Sequence, residues 1–284
     1  MAEVVLCGLI GAGIQRSLSP ALHEQEARHH GLRLQYRLID LDVAGVGVEA
    51  LPGLIADART EGFAGLNITY PCKQRVMPLL DALSEEARAI GAVNTVVREG
   101  DRLVGYNTDA SGWSWGFRRA LPRADLARVV LLGAGGAGAA CADAVLRLGA
   151  AQLVVVDQEA ARATALVERL SGHFPKSRVS TAADAAAALP GATGLIHATP
   201  VGMAKHPGMP IAEALLHPAM WVSEIVYVPL ETPLVQAARR IGCATAHGGH
   251  MNVGQAIGAF KLFTGRDADP PRMESHFRRL ISRS

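Results

Sequence analysis

Residues 129–157 read VVLLGAGGAGAACADAVLRLGAAQLVVVD. Val129–Leu132 predicts a short buried strand, the Gly133–Gly138 run a tight turn, and the Ala-rich stretch to Leu148 a helix. Leu153–Val156 predicts a second strand, which ends on Asp157. Each part suits a dinucleotide. Gly133 permits a sharp turn, Gly135 lets the backbone approach a pyrophosphate, and Gly138 lets the helix lie close on the strand. The free N–H groups and dipole at the helix start favour the anion. Cofactor contacts are expected from Gly133, Ala134, Gly135, Gly136, Ala137 and Gly138. Asp157 follows Gly133 by 24 residues, where a carboxylate accepts hydrogen bonds from a ribose 2′-OH. A GxGxxG pattern alone is weak; between two strands and followed by an acid it is far stronger.

Over the whole chain, 284 residues are enough for about two domains. A hydrophobic content of 49% with 19% charged residues describes a folded protein able to bury a sizeable core. The net charge is +2 and no long basic run occurs, so neither a nucleic acid nor a membrane is expected as a partner. Cys7, Cys72, Cys141 and Cys243 are far apart and form no CxxC pair. That spacing predicts neither a zinc site nor a disulfide framework, and free thiols suit a reducing cytoplasm. His247 and His250 lack a third ligand, so no metal is expected and they read as hinge or pocket-wall residues. The apolar start, Val4–Ile14, is too short to span a bilayer and is broken by glycines, which predicts a strand running into a loop.

The remaining pattern alternates strands and helices. Strands are expected at Val4–Ile10, Leu34–Asp40, Gly65–Ile68, Gly194–Ala198 and Trp221–Val228, with another beginning near Val179. Thr95–Arg98 and Leu103–Tyr106 flank Glu99-Gly100-Asp101, a hairpin signal. Helices are expected from Ser19-Pro20, with Ser19 as the cap, to about Gly31, and at Val48–Thr60. Others follow the Thr69–Lys73 loop and occupy Leu79–Ile90, Thr108–Leu121, Ala160–Leu170, Thr181–Leu189 and Pro233–Ile241, with a long helical tail from Met251 to Ile281. Such alternation implies an α/β fold with mainly parallel sheets. The glycine fingerprint begins only near residue 129, so an α/β substrate domain precedes a Rossmann-type dinucleotide domain, with a cleft between them.

Three polar stretches lie at the predicted strand ends of the first domain: Ser17-Leu18-Ser19-Pro20, Asn67 to Lys73, and Asn94 with Asn107-Thr108-Asp109. Ligands of open α/β sheets sit beyond the carboxyl ends of strands. Hydroxyls and amides suit a polyhydroxylated ligand, and Lys73 suits a carboxylate or a proton, with Asp109 as its natural partner. Taken singly, each has a plainer reading: a cap at Ser19, turn residues at Asn67 or Asn107, a surface charge at Lys73.

Together with other short motifs, these stretches resemble the shikimate/quinate dehydrogenase family, in order along nearly the whole chain. The matching residues are Ser17-x-Ser19-Pro20, Asn67-Ile68-Thr69-x-Pro71-x-Lys73, Gly91-Ala92-Val93-Asn94-Thr95, Gly105-x-Asn107-Thr108-Asp109 and the glycine turn. Ala198-Thr199-Pro200-x-Gly202-Met203, Val226-Tyr227-x-Pro229 and Met251 with Gln255 complete them. The resemblance implies substrate contacts from Ser17, Ser19, Asn67, Thr69, Asn94, Tyr227 and Gln255, the two serines on a carboxylate, and a catalytic pair Lys73–Asp109. It implies that Thr199, Pro200, Ile225, Gly248 and Met251 line the nicotinamide side. It also implies that the C-terminal helices return to the first domain, giving 1–113 with 251–284 as the substrate domain and 114–250 as the cofactor domain. The partner is then a small polyhydroxylated cyclic carboxylate, and the chain acts as a monomer or homodimer.

The implied chemistry is hydride transfer between a ring alcohol and nicotinamide, which requires a base for the hydroxyl proton. Burial lowers a lysine pKa and a neighbouring carboxylate raises it, so the sequence leaves open whether Lys73 or Asp109 takes the proton. Asp157, followed by Gln158, opposes a 2′-phosphate, and Arg162 is the one nearby cation to offset it. NAD is therefore expected ahead of NADP. NAD points to the quinate/shikimate-oxidising branch of the family, which Ala259-Phe260-x-Leu262-Phe263-Thr264-Gly265 also resembles. Departures from the family pattern bear on substrate choice: His197 where Asn is usual, Glu224 where Asp is usual, and an unusually Gly- and His-rich Gly249–Gln255. A dehydrogenase of an amino-substituted analogue or another hydroxy acid is the second reading. A non-catalytic NAD-binding regulator is the third, against which Lys73 and Asp109 both stand.

Overall fold

The computed structural model describes residues 4–282. The chain opens with β1 (Val4–Gly11), α1 (Ser19–His29), β2 (Arg33–Asp40), α2 (Leu41–Ala44), α3 (Leu51–Thr60) and β3 (Gly65–Ile68). It continues with β4 (Ala82–Leu83), α4 (Glu85–Ile90), β5 (Thr95–Glu99) and β6 (Arg102–Tyr106). After α5 (Asp109–Ala120) come β7 (Arg128–Leu132), α6 (Gly136–Arg147), β8 (Gln152–Val156), α7 (Ala160–His173), β9 (Arg178–Thr181) and α8 (Ala185–Ala188). The last elements are β10 (Gly194–His197), β11 (Trp221–Glu224), α9 (Pro233–Ile241), β12 (Ala244–Ala246), α10 (Gly249–Thr264) and α11 (Pro270–Ile281). Two compact units result: residues up to Thr108 together with those from Val253 on, and Asp109–Asn252. The family resemblance implies passages at 113/114 and 250/251 instead.

The first unit holds a six-stranded sheet in the order β2-β1-β3-β5-β6-β4. β1 pairs in parallel with β2 and β3, whereas β5 runs antiparallel to both β3 and β6. Alternate side chains of a strand face opposite sides, and both sides here are covered. Ile10, Leu66 and Val96 pack with Leu51 and Ile55 of α3. Leu9 and Val97, each next in sequence to one of those, pack with Ala259 and Phe263 of α10. Gly65 lets α10 come close, since a Cβ there would lie 2.3 Å from the Phe263 ring.

The second unit is a six-stranded, wholly parallel sheet in the order β12-β11-β10-β7-β8-β9. Its central strands β7, β8 and β10 are mostly apolar runs, as strands buried on both faces require, whereas the edge strand β9 is largely exposed. Val130, Val154, Leu195 and Val222 pack with Leu234, Ala237 and Ala238 of α9.

Several expected elements are corrected. Ser19 is the first helical residue rather than the cap; Leu18 holds the cap position and makes no side-chain bond there. The helix expected after Lys73 is a series of turns ending in a 3-10 turn, Met77–Leu79, because Pro78 lacks an N–H and disfavours helix before it. Only Glu85–Ile90 of the Leu79–Ile90 stretch is helical. Ala82–Leu83 pair with β6, and Ser84 caps α4 by accepting a bond from the Ala87 N–H. The helix expected from Thr181 shrinks to α8, since Thr181 belongs to β9 and Asp184 caps at the later position. β11 ends at Glu224, not Val228, and β12 was not expected.

Candidate active site

The polar loops of the first unit meet at one edge of its sheet. The carboxyl ends of β1 and β3 lie there because the two strands are parallel. β5 is antiparallel, so its amino end, just after Asn94, lies there too, and so does the carboxyl end of β6 before Asn107. Backbone bonds stitch the loops together. Thr69 N–H donates to Ile10 O (2.9 Å), Ala12 N–H to Tyr70 O (2.9 Å), and Val93 N–H to Lys73 O (2.9 Å). Gly11 permits this closeness, for a Cβ would lie 2.3 Å from Thr69 Cγ2. Ser17, Ser19, Asn67, Thr69, Lys73 and Asn94 therefore share one edge. Gln255 stands half-buried on α10, one turn before Gly258, where a Cβ would lie 3.1 Å from Thr108 Cγ2.

Two supports of this edge escape sequence reading. Asp40, at the end of β2, accepts bonds from Gly13 N–H (2.9 Å), Ile14 N–H (3.0 Å) and Gln15 Nε2 (3.0 Å), and so clamps the loop that carries the serines. Burial pushes its carboxyl up. The bonds from Gln15, Gly13, Asp42 and Ile14 outweigh that and hold it below the usual carboxylate range. Within the loop, Ser17 Oγ donates to Ser19 Oγ (3.2 Å) and accepts from Ser19 N–H (3.3 Å). Tyr36 is the second support, its hydroxyl donating to Asn67 Oδ1 at 2.7 Å. Asn67 and Asn94, both buried, are joined in one network at this edge. Asn67 Nδ2 donates to Thr95 Oγ1 (3.1 Å), Thr95 Oγ1 to Asn94 Oδ1 (2.9 Å), and Asn94 Nδ2 to Thr108 Oγ1 (2.9 Å). Asn107, also buried, donates to Ala92 O at 2.9 Å. Lys73 is half-buried, and burial pushes the adjoining Cys72 thiol up to about 11, which leaves that sulfur unreactive at neutral pH. Asp109, buried, opens α5 and the second unit.

In the second unit the chain order reverses between β7 and β10, and ligands of such sheets bind at the carboxyl ends around that point. The glycine turn leaves β7 there, and Ala198-Thr199-Pro200 leaves β10. Gly133 has φ +99° and sits so close to the other loop that a Cβ would lie 2.6 Å from Ala198 O. A Cβ on Gly138 would lie 2.0 Å from Gly133 O, so helix and turn approach only through glycine. Gly135 differs: nothing lies within 4 Å of its Cβ position, and no side chain caps the helix that starts at Gly136. Gly135 thus stands beside open space at a helix start whose N–H groups no side chain caps, a cradle that fits a pyrophosphate.

Asp157 does more than its motif role. Its carboxylate accepts Ala134 N–H at 2.7 Å and Glu159 N–H at 2.9 Å, tying the glycine turn to the end of β8. A carboxylate offers about four acceptor positions, so two remain for a ribose diol. Gln158 is exposed, and Arg162 is exposed and paired with Glu159 at 2.8 Å. On the other side of the switch point, Thr199 is half-buried with Oγ1 2.5 Å from His197 Nε2, and Pro200 is exposed. Ile225 N–H donates to His197 O at 3.1 Å. Gly248 abuts Ile225 so tightly that a Cβ would lie 2.3 Å from its carbonyl oxygen. Met251 is buried in the first turn of α10, and Tyr227 is half-buried just beyond β11. Of the expected substrate and catalytic residues, Tyr227 and Asp109 fall in this unit and the others in the first. Among the described residues no three His, Cys, Asp or Glu side chains cluster to hold a metal, and no helix is long and apolar enough to cross a membrane.

Known proteins match this chain along its length. The family described as "Shikimate dehydrogenase substrate binding domain" matches residues 9–96. A protein of Streptomyces avermitilis named shikimate dehydrogenase (NADP(+)) is 57% identical over 270 residues, covering 94% of this chain and 93% of its own. A Corynebacterium efficiens protein named quinate/shikimate dehydrogenase (NAD(+)) is 43% identical over 278 residues, covering 97% and 98%. Among solved structures, quinate dehydrogenase from Corynebacterium glutamicum in complex with NAD superposes with a TM-score of 0.87 at 41% identity, covering 98% of this chain and 100% of that one. With both sheets, the glycine turn and the loop motifs in place, the chain belongs to the shikimate dehydrogenase family, whose named members are oxidoreductases that use a nicotinamide dinucleotide.

Proposed function

We propose that this protein oxidises the ring alcohol of shikimate or quinate, or reduces the corresponding ketone, with NAD as its preferred cofactor. Asp157 carries the cofactor choice. Its carboxylate stands at the end of β8, Glu159 follows it, and the one nearby cation, Arg162, is already paired with Glu159. The loop keeps one negative charge in excess, which repels a 2′-phosphate and leaves acceptors for a 2′-hydroxyl. Names of relatives divide on this point, and the charge of the loop is what supports NAD here.

In this reading Ser17 and Ser19 bind the ring carboxylate, and Asn67, Thr69, Asn94, Tyr227 and Gln255 bind its hydroxyls. The network from Tyr36 to Thr108 keeps the two asparagine amides oriented, so that they need little reordering when a ligand arrives. Gly133 to Gly138 hold the pyrophosphate, and Thr199, Pro200, Ile225, Gly248 and Met251 border the nicotinamide. When bound, the nicotinamide supplies the hydride acceptor. Lys73 and Asp109 handle the hydroxyl proton: Lys73, as the neutral amine, takes it and becomes the ammonium, and Asp109 orients both the amine and the substrate hydroxyl.

The test is nicotinamide reduction at 340 nm with both substrates and both cofactors. NAD should exceed NADP at least tenfold in kcat/KM, and Lys73→Ala should remove most of kcat. A preference for NADP would overturn the cofactor assignment, and no reduction with either ring acid would overturn the reaction. Near-normal turnover of Lys73→Ala with loss in Asp109→Ala would make Asp109 the base.

A further inference from the structure

The carboxyl ends of β10 and β11 are joined by a hydrogen-bonded histidine–glutamate pair shut away from solvent. His197 closes β10, Glu224 closes β11, and the two stand opposite each other in parallel register, both side chains 0% exposed. His197 Nδ1 lies 2.9 and 3.0 Å from the two carboxylate oxygens. Glu224 is further fixed by Val226 N–H (2.9 Å) and the Thr232 hydroxyl (2.9 Å). A buried pair of this kind adds little stability beyond what well-packed apolar residues of the same volume supply. It does supply direction. A carboxylate only accepts, so Nδ1 carries a proton and the imidazole plane is set, with Nε2 aimed at its other partner, Thr199 Oγ1, at 2.5 Å.

Thr199 is the point where this buried network reaches the switch point of the sheet. Val201 N–H also donates to its oxygen, at 3.3 Å. The residue before it, Ala198, touches the glycine turn, and Thr199 Cγ2 lies 3.1 Å from where a Cβ on Gly133 would stand. Glu224, His197 and Thr199 are thus joined by hydrogen bonds, and Thr199 stands beside Gly133 of the glycine turn.

We propose that His197, oriented by Glu224, is a positioning residue for the dinucleotide: by holding the Thr199 hydroxyl it sets the Ala198–Pro200 turn in the shape that receives the nicotinamide half. The inference rests on the dinucleotide reading of this switch point. The second nitrogen of His197 acts on one hydroxyl, so its effect passes through Thr199 or not at all.

A double-mutant cycle tests this. One arm replaces both members of the pair by amides, His197→Gln with Glu224→Gln, so that no lone buried carboxylate remains. The other, Thr199→Val, removes the hydroxyl and keeps the shape. NADH affinity is read by fluorescence titration, and KM for NAD, KM for shikimate and kcat by steady-state kinetics. Each arm should weaken NADH binding and raise KM for NAD about tenfold, the scale of one lost hydrogen bond, with KM for shikimate within twofold of wild type. The combined protein should be no worse than either arm. Multiplying effects, or a lowered melting temperature with unchanged NADH affinity, would make the pair structural and overturn the proposal. If the amide pair does not fold, Thr199→Val decides alone, and an unchanged affinity rejects the idea. Wild-type protein that binds no NADH would instead reject the dinucleotide reading itself.

Discussion

His23 should make the first unit acid-sensitive, and replacing it by phenylalanine should remove that sensitivity. The ring is wholly buried on α1, stacked on Tyr36 at a centroid distance of 5.0 Å and flanked by Phe260 and Phe263 at 6.2 and 5.7 Å. Among the described residues neither ring nitrogen has a hydrogen-bond partner. Burial without a counter-charge lowers its pKa from 6.5 to about 3. The unfolded chain therefore binds a proton below about pH 6.5 that the folded one refuses until about pH 3, and stability falls as pH drops through that window. Between pH 7.5 and 5.0 the loss from this one residue is about 2 kcal/mol, or roughly 4–8 °C in melting temperature for a unit of this size. His23→Phe keeps the ring stack and has nothing to protonate. Thermal unfolding of both proteins at pH 7.5 and 5.0 checks it, since every other titrating group contributes equally to the two and cancels in the difference. The His23→Phe protein should match or exceed wild type at pH 7.5 and lose about 2 kcal/mol less on acidification. Equal losses in the two proteins would refute the account of His23 as a neutral, unpartnered core ring.

Three further perturbations probe the candidate site. Gly135→Ala should cost under about 1 kcal/mol of stability, the scale of a changed helix cap, because nothing stands near the added methyl. It should still raise KM for the dinucleotide at least tenfold; an unchanged KM would remove the pyrophosphate from this turn. Gly138→Ala drives a methyl to 2.0 Å from Gly133 O and should destabilise by about 3 kcal/mol or more, seen as a lowered melting temperature before any ligand is added. Asp40→Asn sets an amide donor against N–H groups that now donate to a carboxylate, and should cost about 1–3 kcal/mol with a severalfold rise in KM for the ring acid. The Asp40 carboxyl is held below its ordinary 3.8. Its contribution is therefore present above that value and fades as pH falls through the lower folded one, so the gap between Asp40→Asn and wild type should close in strong acid. A gap that stays constant down to pH 2 would mean the carboxylate charge is not what clamps the loop.

The elements legible from sequence were those that carry their own pattern. Gly65–Ile68 and Pro233–Ile241 form where periodicity and punctuation put them, the latter between Thr232 as cap and Gly242 in the left-handed conformation. The elements that escaped or shrank are short and depend on a neighbour. β4 is two residues that exist because β6 offers a partner, and β12 is three residues on the edge of β11. The three glycines of the fingerprint, alike in the sequence, separate in space: two are demanded by contacts with the protein itself, and only Gly135 is left facing an open cradle.

The site was legible in the same way, motif by motif, and illegible where one residue acts on another far along the chain. Asp40 clamps a loop 26 residues before it, and Tyr36 orients an asparagine 31 residues after it. Neither belongs to a local pattern, because the sheet, not the sequence, makes them neighbours. His197 and Glu224 carry the point furthest. Taken one position at a time, each is a separate departure from the family pattern that invites doubt about the substrate. In space they are a single change: adjoining strands end on a matched donor and acceptor, 27 residues apart in the chain and 2.9 Å apart in the fold. A histidine without the glutamate would have left a buried donor unanswered, and a glutamate without the histidine would have left a buried carboxylate short of a donor. Each departure therefore accounts for the other, and what remains to be explained is the direction in which the pair points, toward Thr199.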